Sequence, residues 1–173
     1  MISFAKKITG IFLFIALISV SVANAQIKGK LGHVDSNKLL ELMPEKATAQ
    51  TKLQDFAKQL QDQLVAMQGE YDTKVQDYQK NQATYSDLIK QTKAKEIGDL
   101  EQRITAYQQS AQEELQKKQE ELLQPIIDKA KKAIQDVAKE QGYSYVFDSS
   151  VGVLLYFPDT DDILSLVKTK LGL

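Results

Sequence analysis

The chain has no cysteine, no tryptophan, three prolines and one histidine. Without cysteine there is no disulfide, no zinc-thiolate site, no nucleophilic thiol and no lipid attached through an N-terminal cysteine. A triad built on His33 would need a serine elbow that is missing, and neither a phosphate-binding glycine loop nor a dinucleotide fingerprint is present. Catalysis and bound cofactors are therefore not expected. With 22 Lys and Arg against 23 Asp and Glu, the basic excess that a nucleic-acid partner requires is absent too. Proline is missing where its absence matters most, from residues 45–124, between Pro44 and Pro125.

That proline-free stretch of 80 residues is rich in Gln, Lys and Glu. Such a composition builds no globular core, so long helix is its natural state. Apolar residues fall at Leu53, Phe56, Leu60, Leu64, Met67, Tyr71, Val75 and Tyr78, with spacings of 3, 4, 4, 3, 4, 4 and 3. An 11-residue repeat of about 3.67 residues per turn keeps one narrow stripe on a nearly straight helix. Ile97, Leu100, Ile104, Tyr107, Ala111, Leu115 and Leu122 offer a matching seam. The pattern falters near 81–88, where the chain is expected to bend back, with Thr84 as N-cap and Asp87 at N3 of a capping box. Gly69 and Gly98 lie at similar distances from the bend and should loosen both arms at one level, or else allow close helix contact. With Pro44 and Pro125 they are candidate hinges.

Lys6 and Lys7, the apolar run 8–22 and the small pair Ala23 and Ala25 compose a secretory signal cleaved before Gln26. The run is short of the roughly 20 residues a membrane span needs. Cleavage leaves 148 residues with 20 basic and 23 acidic side chains, a product expected in an exported compartment. Residues 30–35 read as a strand, Ser36 as the cap of a helix over 37–42, and Pro44 as the first turn of the long arm. Pro125 should kink the returning helix, and Gly142 should end it. Strands are predicted over 143–148 and 151–157, followed by a short helix opened by Asp159, Asp161 and Asp162. Those carboxylates fit a helix start better than a cation loop, so no metal is expected. The chain thus divides into a signal (1–25), a β-containing body (26–44 and 125–173) and a helical hairpin (45–124). The fold class is α+β, mostly α: a long antiparallel coiled-coil hairpin inserted in a small body. The ordered body, 30–44 and 125–173, has 64 residues. At that size a core is marginal, so assembly through the body is the economical solution.

Tyrosine can join a seam and still offer a hydroxyl or ring edge to a visitor, so Met67, Tyr71, Tyr78, Tyr85 and Tyr107, with Leu88 and Ile89 at the bend, are candidate contacts for a bound protein. Lys80, Lys90, Lys93 and Lys95 outnumber Asp87 and Glu96 and compose a candidate basic tip through which a membrane surface could be touched.

Three stretches carry a resemblance. They are Gly32-His33-Val34-Asp35-Ser36 with Met43-Pro44-Glu45, the run Glu-Leu-Gln-Lys-Lys-Gln-Glu-Glu-Leu-Leu-Gln-Pro-Ile over 114–126, and Gly142 with 143–148 ahead of Asp162-Ile163. In that order, behind a signal, the chain resembles the Skp/OmpH-like periplasmic chaperones of Gram-negative bacteria. The resemblance implies a homotrimer with a shared β-barrel and three arms around a cavity. It also implies ATP-independent holding of unfolded outer-membrane proteins. Val34, Val146, Phe147, Leu154, Leu155 and Tyr156 would then serve the body and its assembly. Residues 46–124 hold 11 basic and 13 acidic groups, a departure from the basic arms frequent in that family, which removes the basis for a lipopolysaccharide contact. The start of the last helix, Asp162-Ile163-Leu164-Ser165, departs in its capping residues. An envelope adaptor docking through its hairpin tip is the alternative reading.

Overall fold

Strand β1 (Lys30–Val34) turns directly into a short helix α1 (Ser36–Leu42), and Met43 then leads into the long helix α2 (Pro44–Asn81). The return helix α3 (Asp87–Glu140) runs unbroken through Pro125, followed by strand β2 (Tyr143–Asp148), a single 3-10 turn (Asp159–Asp161) and helix α4 (Leu164–Leu171). This architecture comes from a computed structural model that describes residues 29–173. The signal segment expected over 1–25, with Ala23 and Ala25, lies outside the described residues.

β1 and β2 pair in parallel, with Gly32 opposite Val146 and Val34 opposite Asp148. A parallel pair requires a crossover, usually one helix. Here the crossover is the whole hairpin. Its antiparallel sense is written in the contacts: Glu45 pairs with Lys129, Asp77 with Lys93 at 3.3 Å, and the Tyr107 hydroxyl donates to the Leu60 carbonyl at 3.2 Å, so that climbing α2 means descending α3. The predicted stripes form the seam. Leu53, Phe56, Leu60, Leu64, Met67, Tyr71, Val75 and Tyr78 are half-buried, and Leu100 and Ile104 opposite them are buried. At 1.5 Å per residue, the 38 residues of α2 make an arm about 57 Å long.

The core sits at the base. Val34, Leu39, Met43, Ala49, Ile126, Ala130, Ala133, Val137, Ile163 and Val167 form one cluster, with Leu122, Ile134, Tyr143 and Val146 packed around it. Gly32 is demanded by this packing, because a Cβ there would stand 2.9 Å from the Tyr143 ring and 3.1 Å from Ile163 Cγ2. By contrast, a Cβ at Gly69 or Gly98 would meet nothing within 4 Å, so neither glycine serves close helix contact. Gly142, at φ +71°, ends α3 in the left-handed conformation that favours glycine.

Three local expectations are corrected. Asp35, not Ser36, caps α1, its carboxylate accepting from the Lys38 N–H at 2.9 Å. The Ser36 hydroxyl is taken by Asp148 on β2 at 2.5 Å. At the bend Ser86, not Thr84, caps α3, because the Asn81 carbonyl left open at the end of α2 captures both the Thr84 N–H and its hydroxyl. Residues 151–157 are not a strand. Ser149 N–H still bonds the Val34 carbonyl, but Ser150 N–H then turns onto the Asp148 carboxylate and Gly152 takes φ +69°, which carries the chain off the sheet. High β-propensity describes side chains that fit a pleated surface, and without a neighbouring strand it makes no ladder.

Candidate functional site

Two surfaces stand out, one on the arms and one at the base. On the arms, packing consumes most apolar side chains. Met67, Tyr71, Tyr78, Tyr85 and Tyr107 are all half-buried. The large apolar groups left open there are Val65, at 59% exposure, and the tip pair Leu88 and Ile89, at 74% and 45%. The rest of the arm surface is mostly polar or charged, with Gln, Lys, Glu and Asp foremost.

The tip is organised by Asp77, which the sequence did not single out. Its carboxylate accepts from Asn81 at 2.9 Å, Tyr85 Oη at 3.0 Å and Lys93 Nζ at 3.3 Å. These bonds, Asn81 first, hold the carboxyl below its ordinary range, and Asp77 in turn holds Lys93 above its own. The i, i+4 spacing to Asn81, with Tyr85 one turn further on, was the signal in the sequence. Lys95 pairs with Asp99 at 2.8 Å and Lys90 approaches Asp87 at 3.8 Å. Of the four tip lysines only Lys80 forms no ion pair among the described residues, so little net positive charge is free there.

At the base, residues 149–158 form a strap across one face of the sheet. Leu155 and Tyr156 are 99% and 84% exposed, and Val151 and Val153 are open as well. Phe147 and Tyr145 add a stacked aromatic pair at 6.4 Å, beside exposed Leu31. Of the residues assigned to assembly, Phe147, Leu155 and Tyr156 thus lie open, Leu154 and Val146 are partly covered, and Val34 belongs to the core. On the opposite face the sheet and α3 enclose a cleft of about 500 Å³ that reaches from Leu40 and Ile127 to Ser36 and Asp148. Burial pushes the Asp148 carboxyl up, but the Ser36 hydroxyl and the Ser36 and Ser150 N–H groups more than offset it, leaving the group below its ordinary range. This cluster ties the start of α1 to the end of β2.

The model of the family described as Outer membrane protein (OmpH-like) matches residues 30–171. The chain belongs to this OmpH-like family. Both the base and the arms therefore fall inside the family region, hairpin tip included. Among curated relatives, the chaperone protein Skp of Vibrio cholerae is 25% identical over 138 residues, covering 79% of this chain and 81% of the relative. A solved structure of an OmpH-like outer membrane chaperone from Caulobacter crescentus superposes with a TM-score of 0.73 at 15% identity, covering 83% of each chain. That likeness establishes a shared fold. Among the described residues no helix is long and apolar enough to cross a membrane.

Proposed function

We propose that this protein is a periplasmic holdase chaperone, which binds outer-membrane proteins in the unfolded state and prevents their aggregation without nucleotide. The observation that carries the reading is the division of labour between base and arms. A small base leaves an apolar strap uncovered, and from it extend two paired helices about 57 Å long whose outer surface is polar with isolated apolar points. The name of the Vibrio cholerae relative supports the chaperone class.

In this reading the strap and the open face of the sheet join copies of the chain, a trimer being the arrangement the family resemblance implies, and the arms surround a shared space. An unfolded barrel precursor exposes alternating apolar residues. It meets Val65, Leu88, Ile89 and the half-buried seam tyrosines through many weak, exchanging contacts. Weak sites linked in one enclosure raise overall affinity without fixing one client conformation. Purified mature protein should suppress the light scattering of a urea-unfolded outer-membrane barrel on dilution, with no nucleotide present. Unchanged scattering would overturn the holdase reading.

One observation favours a second reading. Leu88 and Ile89 are the exposed apolar pair at the far end of the hairpin, where an envelope adaptor would dock. Replacing both with serine separates the two: an adaptor loses its partner, whereas a holdase with sites along the arms keeps most of its capacity.

A further inference from the structure

His33 is 5% exposed, in the middle of β1. Its Nε2 lies 3.1 Å from the Pro158 carbonyl, which can only accept, so the proton of the neutral ring resides on Nε2. Nδ1 is buried and has no hydrogen-bond partner among the described residues. Phe157 of the strap lies over the ring with centroids 4.2 Å apart. The ring therefore grips the strap twice, by a hydrogen bond to residue 158 and by a tilted aromatic contact, planes 48° apart, with residue 157. The strap leads straight into the 3-10 turn, where the Asp161 N–H donates to the Pro158 carbonyl and the Ile163 N–H to the His33 carbonyl.

We propose that His33 is a proton-operated latch on the strap: the neutral ring holds residues 157–158 against the sheet, and protonation at Nδ1 releases them. A neutral Nδ1 merely lacks a donor, but an added proton would put a charge and an unmet donor in a buried site. The ring meets that demand by leaving its site, which breaks the bond to Pro158 and the contact with Phe157. The ionisable neighbours are few. Asp161 and Tyr156 line the same small cleft as the ring, and Asp162 is bridged to His33 through the backbone. The Asp162 carboxylate is engaged by the Leu164 N–H at 2.7 Å and that of Asp161 by the Thr160 hydroxyl at 3.4 Å. Neither is hydrogen-bonded to the imidazole. The neutral ring holds the strap and the protonated ring does not.

This inference bears on the strap that the proposed function uses as a joint between copies, and its test reads the strap with no client present, so holdase activity can fail without it. The test is hydrogen exchange on the mature protein, with protection factors for the Asp161, Asp162 and Ile163 amides compared at about pH 7.5 and about pH 5. Wild type should lose roughly tenfold or more of its protection at the lower pH. His33→Gln, which keeps a donor for Pro158 but does not titrate in this range, should hold its protection within about twofold. An equal loss in His33→Gln would assign the response to the neighbouring carboxylates and overturn the proposal, as would unchanged protection in wild type. Ring nitrogen NMR of wild type supplies a check that needs no variant. An Nε2–H tautomer whose titration tracks the loss of protection supports the latch, and an Nδ1–H tautomer sinks it.

Discussion

Leu155 and Tyr156 offer the sharpest test of what the base is for. Both side chains are largely in water in the single chain, at 99% and 84% exposure, so serine at both positions removes little intramolecular packing and should leave the thermal midpoint of the isolated fold nearly unchanged. If the strap is an assembly surface, the same change is severe. Burying a leucine or an aromatic side chain stabilises by roughly 1.5 to 3 kcal/mol. Losing both therefore weakens each contact between copies by about 4 kcal/mol, a factor of roughly a thousand in association. Sedimentation over a dilution series reads this directly: wild type should remain associated where Leu155→Ser/Tyr156→Ser has become a single chain with unchanged helical circular dichroism. Should the double variant sediment like wild type across the whole series, the strap is not the joint and the argument from exposed apolar area is wrong.

Further expectations follow from the same contacts. Gly32→Ala drives a methyl against the Tyr143 ring and should cost about 1 to 3 kcal/mol, measured by urea unfolding. Gly69→Ala with Gly98→Ala, each pointing into open space, should instead stabilise by about 0.5 to 1 kcal/mol per site; if these glycines are hinges, the stabilised double variant will suppress client aggregation less well. Asp77→Ala should free the bend, speeding amide exchange over 81–90 while the exchange of core amides such as Val137 stays unchanged. Glu45, Asp77 and Asp148 are all held below the usual carboxylate range, so their contribution is complete above that range and is lost as pH falls through the lowered values. Cooperative acid unfolding, followed by circular dichroism, should accordingly begin below about pH 4.

What the sequence disclosed and what it hid divide along a physical line. The arm seam was legible because each helix writes its buried face at a fixed period, and the apolar positions from Leu53 to Tyr78 are the half-buried ones. The ends of α3 were legible to different degrees. Gly142 stops it through a backbone property of glycine alone, whereas the choice between Thr84 and Ser86 as cap depended on where α2 happened to leave a carbonyl open. Residues 151–157 misled for a related reason. Valine, leucine, tyrosine and phenylalanine report a preference for pleated surroundings, but a strand exists only with a partner, and the partner's presence is a property of topology. The roles of Asp77, of Ser36 with Asp148, and of His33 beneath Phe157 all arise from contacts across the fold. Of these, only the Asp77 to Asn81 step left a local trace.

The crossover also explains how such a split base can form at all. β1 and β2 are separated by more than a hundred residues, and closing a loop of that length from an open chain is slow and entropically costly. The hairpin removes most of that cost. Its bend at 82–86 is local, its seam zips from neighbouring turns, and its completion sets Glu45 beside Lys129 and Ala49 in one cluster with Ile126 and Ala130. From there only α1 and the last turns of α3 separate the two strands. The arms are then the folding scaffold of the base as well as its extension. Substitutions that loosen the lower seam, Ala49→Gly for example, should slow formation of the β1–β2 pair more than equal destabilisation at α4, which docks last in this order. Pulse-labelled exchange of the Phe147 amide during refolding distinguishes the two, and an equal slowing from both sites would refute this order of events.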